Sequence, residues 1–176
     1  MLRTFLVSLI LAFVASCGPT PESAHAENRA RVLPGDVSVA RRVLQDMLID
    51  SGALEEMTRR ALVRSGEQVW QAWSANPDLA RVMSPHSDEI RSYLATEYPS
   101  EGARETVSAA PAVLDTFAPR LAAFFSDSDL QELHEFYGSP EGRSWFLNAA
   151  IAGDAGYTPT AQESRALAEF QTTTAA

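Results

Sequence analysis

The sequence predicts a small all-α domain of about six or seven helices, and three observations carry that prediction. From Asp36 onward apolar residues recur at helical spacing. No stretch alternates polar and apolar residues, and no Asn-Gly or Asp-Gly pair marks a hairpin. The apolar stretches are separated by helix stops and starts: Ser51-Gly52, Asn76-Pro77 and Gly138-Ser139-Pro140.

The first helix is expected over 37–50, with Val39, Val43, Leu44, Met47 and Leu48 on one face. A second, 53–74, carries Leu54, Met57, Leu62, Val69, Trp70 and Trp73; Ser65-Gly66 is a candidate bend and Asn76-Pro77 its end. Ser87 is the expected cap of a third helix, about 88–97, with Ile90, Tyr93 and Leu94 inward and Pro99 just beyond. The next helical region holds Pro111 and Pro119, which predict a boundary and a kink because each removes a backbone donor. Ser126 then caps a helix with Leu130, Leu133, Phe136 and Tyr137 inward. The last helix starts near Thr158 to Thr160, with Glu163 in capping-box register to Thr160 and with Leu167 and Phe170 as anchors. Residues 36–170 thus form the helical domain, and 171–176 read as a disordered tail.

Between the last two pairs of aromatics lies Gly138-Ser139-Pro140-Glu141-Gly142. Gly138 is expected to end one helix in the left-handed conformation. Ser139 caps the next, Pro140 fills its first position without loss of a hydrogen bond, and Gly142 permits close approach. Phe136, Tyr137, Trp145 and Phe146 then fill the corner as structural residues.

The N-terminus reads as an address. Residues 1–16 hold one charge, Arg3, and an apolar run from Phe5 to Ala15. That run is shorter than the about 20 apolar residues a membrane span needs and fits the core of a signal peptide. Val14-Ala15-Ser16-Cys17 resembles the lipobox of bacterial lipoproteins, in which the cysteine is lipidated; Cys17 is the only cysteine. The alternative is cleavage after Ala26 in Ala24-His25-Ala26, which releases a soluble periplasmic protein. Residues 17–35 are then the lipidated Cys and a polar, Pro-containing tether; eighteen flexible residues span about 25 Å root-mean-square.

Composition narrows the chemistry. The 176 residues carry a net charge of −9, which argues against nucleic acid as a partner. All 14 basic residues are Arg, so Schiff-base and phosphate-loop lysines are excluded. His134-Glu135 begins a zinc-protease pattern that fails at Gly138. A weak metal site from His134 with Asp129, Glu132 and Glu135 is outweighed by a solvated helix face. The acidic pairs Glu55-Glu56 and Asp88-Glu89 read as surface. No catalytic residue, cofactor or metal ligand is assigned.

Residues 124–146, "FFSDSDLQELHEFYGSPEGRSWF", resemble the most recognisable segment of the bacterial domain-of-unknown-function 2059 family. The matching positions are Phe125, Glu132-Leu133, Phe136-Tyr137, Ser139-Pro140 and Gly142. The chain departs from the pattern after Gly142, where Arg143-Ser144-Trp145 replaces a Lys-bearing aliphatic stretch. The resemblance implies a small, exported, all-helical domain and transfers no catalytic residues. The expected function is a non-catalytic, membrane-anchored envelope module facing the periplasm that interacts with another envelope component. The alternative is a helical binding protein for a small apolar ligand or lipid, with Trp70, Trp73 and Tyr93 as its candidate groove.

Overall fold

The computed structural model describes residues 35–153 and 156–173. The expected signal peptide, Cys17 and most of the tether lie outside the described residues, as do 174–176. Every regular element among the described residues is helical. They are α1 (Val37–Gln45), continued by a π-helical turn (Asp46–Asp50), then α2 (Ala53–Ser74), α3 (Pro77–Met83), and a 3₁₀ turn (Ser84–His86). After these come α4 (Ser87–Ala95), α5 (Glu97–Ala122), α6 (Asp127–Gly138), α7 (Pro140–Ala152) and α8 (Ala161–Phe170). The all-α expectation holds, with α3 the segment the periodicity does not flag.

Helix α5 is the central strut. Its buried stripe is Pro99, Ala103, Thr106, Ala110, Leu114, Ala118 and Ala122, spaced three or four residues apart. The four alanines let neighbouring helices approach closely. α2 lies along the first part of this stripe and α1 along the last. The principal core forms where α1, the end of α5 and α6 meet: Ala40, Val43, Ala118, Ala122, Leu130 and Leu133, with Phe125, Tyr137 and Phe170 packed against them. Burying one such Leu or Val contributes about 1.5–3 kcal/mol.

The boundary expected at Pro111 is absent: one helix runs through both Pro111 and Pro119. Both rings are solvent-exposed, and each costs a hydrogen bond, about 3 kcal/mol in an isolated helix interior. The buried stripe on the opposite side outweighs that cost. Ser87 is not the cap of α4 but its first residue, with His86 before it and no side-chain cap. α2 is likewise continuous through Gly66, where a Cβ would stand 2.7 Å from the Leu94 carbonyl oxygen. That glycine serves contact with α4, not a bend.

The capping reading fares better. Ser126 accepts from the Asp129 backbone N–H while Asp129 accepts from that of Ser126, closing a capping box. Thr160 and Glu163 form a second. Gly35, counted with the tether, belongs to the domain: it is buried, and its N–H donates to the carbonyls of Ala122 (2.8 Å) and Phe125 (3.0 Å). At the other terminus, Thr172 and Thr173 continue as hydrogen-bonded turns onto Glu169 and Phe170.

One part of the chain is sparsely packed. From Glu67 to Tyr98, spanning the end of α2, all of α3 and α4 and the start of α5, no residue is buried. This arm stands at the opposite end of α5 from Gly35.

Candidate functional site

Four features stand out, beginning with the helix corner. Ser139 terminates α6 and caps α7; its Oγ accepts from the Gly142 N–H at 3.0 Å and donates to the Phe136 carbonyl at 2.7 Å. Gly138 does not take the left-handed conformation expected of it. It is the last helical residue of α6, and the positive-φ positions among the described residues are Gly52, Gly153 and Gly156. Ser139, extended at φ −74° and ψ 153°, makes the break instead, as a residue before proline prefers. Gly142 is required for space: a Cβ there would collide with the Phe136 carbonyl. The rings meet as the sequence suggests. Phe136 lies 5.0 Å from Tyr137 and 5.9 Å from Trp145, and Tyr137 lies 5.6 Å from Phe146 in an edge-on contact. Phe170 of α8 stacks on Phe136 at 4.5 Å. Phe136 and Phe146 are buried, whereas Tyr137 and Trp145 are half-buried.

The second feature is a buried carboxylate. Asp46, on the π-helical turn, accepts from His134 Nδ1 of α6 at 2.6 Å and from Arg143 of α7 at 3.2 Å. His134 therefore faces the π-helical turn rather than forming a solvated face with Asp129, Glu132 and Glu135. No group of three or more His, Cys, Asp or Glu among the described residues is arranged to hold a metal. The arrangement ties three segments at one point. Carboxylate-oriented imidazoles also serve as bases, but among the described residues no hydroxyl hydrogen-bonds this ring.

The third is Glu163, 2% exposed, which accepts from the Tyr157 hydroxyl (2.6 Å), the Ser144 hydroxyl (2.7 Å) and the Thr160 N–H (2.7 Å). Burial raises its pKa, but these hydrogen bonds outweigh it and bring the carboxyl down to about 2. The same bond raises the Tyr157 hydroxyl. Through its hydroxyl, Ser144 of α7 is held against the start of α8.

The fourth is an open groove of about 550 Å³ between α6 and α8. Phe136 and Phe170 line it, together with Glu132, Glu135, Glu169 and Arg165. Neither Trp70, Trp73 nor Tyr93 borders it. Trp70 is half-buried, while Trp73 and Tyr93 are exposed on the arm, against the inward placement expected of Tyr93. The Tyr93 hydroxyl donates to Glu101 at 3.3 Å, and the nearby charges of Glu101 and then Glu97 hold its pKa above the usual range.

Sequence reasoning missed Asp46 and Glu163 as buried acids. A signal existed for Glu163, whose capping-box register was legible, but its burial depends on Ser144 and Tyr157 from outside its helix. Arg143 lies where the chain departs from the pattern that residues 124–146 otherwise resemble, and together with His134 it reaches Asp46. Among the described residues no helix is long and apolar enough to cross a membrane. No family model matches the chain, and neither a curated protein nor a solved structure shows significant similarity to it.

Proposed function

We propose that this chain is a non-catalytic, membrane-tethered module of the bacterial envelope that docks another envelope protein through the arm 67–98. The observation that carries the reading is the arm's surface. Among the described residues, large apolar side chains stand exposed at seven positions, and four of them, Trp73, Leu79, Val82 and Tyr93, lie in this segment. Val82 is 72% exposed. That α3 and α4 bury none of their own residues while this segment carries exposed apolar side chains supports reading it as an interaction surface. The lipobox-like Val14-Ala15-Ser16-Cys17, the polar tether and the likeness of residues 124–146 to an exported helical family support the envelope location. The alternative, a carrier of a small apolar ligand or lipid, draws less support, because the groove between α6 and α8 is edged by glutamates.

Two measurements test this. With Cys17 intact, the protein incorporates labelled fatty acid and sediments with membranes, and Cys17→Ala abolishes both. Recovery of a soluble wild-type protein beginning at Glu27 overturns the anchor. A photo-crosslinking residue at Val82, in cells, captures a discrete protein partner that the same residue at exposed Arg104 on α5 does not. Crosslinking only to lipid, or none at all, refutes docking.

A further inference from the structure

We infer that the arm receives a basic, amphipathic segment of its partner protein, with cationic side chains settling on a cluster of two tyrosines and two carboxylates. This rests on the docking reading above. The cluster is Tyr93, Glu97, Tyr98 and Glu101, where α4 hands over to α5. The Tyr93 and Tyr98 ring centroids are 6.5 Å apart with planes tilted by 45°, and the Tyr93 hydroxyl donates to Glu101 at 3.3 Å. Glu97 and Glu101 are four apart on one helix, a like-charge spacing that destabilises the isolated helix. No Arg bridges either one among the described residues. A guanidinium or ammonium arriving between them meets two carboxylates and two ring faces, the combination that attracts organic cations.

The rest of the arm carries the same charge. Between Glu67 and Glu101 the sequence holds six acids and two arginines. One of those arginines, Arg81, is already paired with Asp78 at 2.8 Å. Leu79 and Val82, three apart on α3, offer apolar contact beside this excess of negative charge. Complementarity therefore selects a segment with apolar and basic residues together.

Other occupants fit less well. A second copy brings an equally acidic arm from a chain of net charge −9. A bilayer rich in anionic lipid repels it. The chain's own Arg29 and Arg31 precede Gly35, which is fastened to the Ala122 carbonyl at the far end of α5. Along α5, Ala122 lies about 36 Å from Tyr98, whereas the six steps from Arg29 to Gly35 reach at most about 21 Å.

The test uses the chain from residue 17 onward with Cys17→Ser, followed by NMR. The probes are an 18-residue amphipathic Leu/Lys peptide, its Leu/Glu counterpart, and phosphatidylglycerol vesicles. The Leu/Lys peptide is expected to shift amide signals within 67–101 and to bind at least about fivefold more weakly at 300 mM than at 50 mM salt. Glu97→Gln with Glu101→Gln, and separately Tyr93→Ala, is expected to weaken it about tenfold, whereas Glu135→Gln with Glu169→Gln at the α6–α8 groove leaves it unchanged. The Leu/Glu peptide and the vesicles leave the arm's signals in place. Shifts confined to the α6–α8 groove, equal binding by the arm variants, or stronger binding to vesicles overturns the inference. If the Val82 crosslink still captures a protein in that event, the docking reading stands and only the partner's charge class fails.

Discussion

Replacing Gly142 with Ala sets two effects against each other, and the structure decides the sign. An alanine in a helix interior is favoured over glycine by about 0.8–1 kcal/mol, and for Gly142, in the first turn of α7, helix propensity alone predicts a gain of at most that size. The new Cβ, however, would overlap the Phe136 carbonyl oxygen, lie 2.8 Å from its carbon and 3.1 Å from Ser139 Oγ. Those atoms belong to the backbone of α6 and to the hydroxyl that caps α7, and neither moves without breaking the corner. Overpacking of this kind costs about 1–3 kcal/mol, and a clash with backbone belongs at the upper end, leaving a net loss of about 1–2 kcal/mol. For a domain of this size that lowers Tm by about 3–8 °C. Gly102→Ala is the control. Its Cβ meets only the side chain of Leu62, which can rotate aside, so the propensity gain largely survives and Tm stays within about 2 °C of wild type or rises. Both variants are measured by circular dichroism in the chain from residue 17 with Cys17→Ser. If Gly142→Ala melts at or above wild type with its helix content intact, the close approach of α7 to Phe136 is not what this position demands.

Glu163 sets a pH window. The unfolded carboxyl titrates near its ordinary value of about 4.5 and the folded one at about 2, so the unfolded chain binds more protons between them. This contribution is present above that ordinary value and is lost as pH falls towards 2; urea midpoints of Glu163→Gln should therefore lie below wild type at pH 7 and converge with it in acid. Asp46→Asn keeps the shape but removes the charge facing His134 and Arg143, and since those two side chains are about one-third exposed (32% and 38%) and can hydrate, the expected loss is about 1–3 kcal/mol by urea unfolding. Tyr137→Ala and Trp145→Ala each remove a half-buried ring from the five-ring cluster and should cost about 2–4 kcal/mol, below the figure for full burial. If both melt like wild type yet lose the Val82 crosslink, the corner is a recognition surface.

The parts of the fold that were legible in sequence are those fixed by local chemistry. Ser126, Ser139 with Pro140 and Thr160 with Glu163 each need only neighbours within three residues, and each caps a helix as expected. Asn76-Pro77 carries the same signal as Ser139-Pro140 and starts α3 in the same way, with Asn76 accepting from the N–H groups of Asp78 and Leu79. It reads in sequence only as an end because the segment after it has no inward stripe. Pro111 and Pro119 mislead for the opposite reason. Their local preference is for a break, and what overrides it is a buried stripe whose partners, α1 and α2, lie far away in sequence. The exposure of Tyr93 is also non-local: its spacing with Ile90 and Leu94 suggests an inner face, but the neighbouring helices cover only part of it. Asp46 is the plainest case. One acid among 23 is a surface residue by default, and nothing near it in sequence announces His134 or Arg143.

The shared residue at the corner has a dynamic consequence. Helix ends ordinarily fray into loops, and a loop lets one helix open while its neighbour stays shut. Between α6 and α7 there is no such slack. Loss of the last turn of α6 frees the Phe136 carbonyl from Ser139 Oγ, and the same hydroxyl then no longer holds the Gly142 N–H that begins α7. The two helices are thus expected to open together. In native-state hydrogen exchange the slow amides of 131–138 and those of 144–152 should report one common opening free energy, distinct from that of the arm, and Ser139→Ala should lower it for both helices at once.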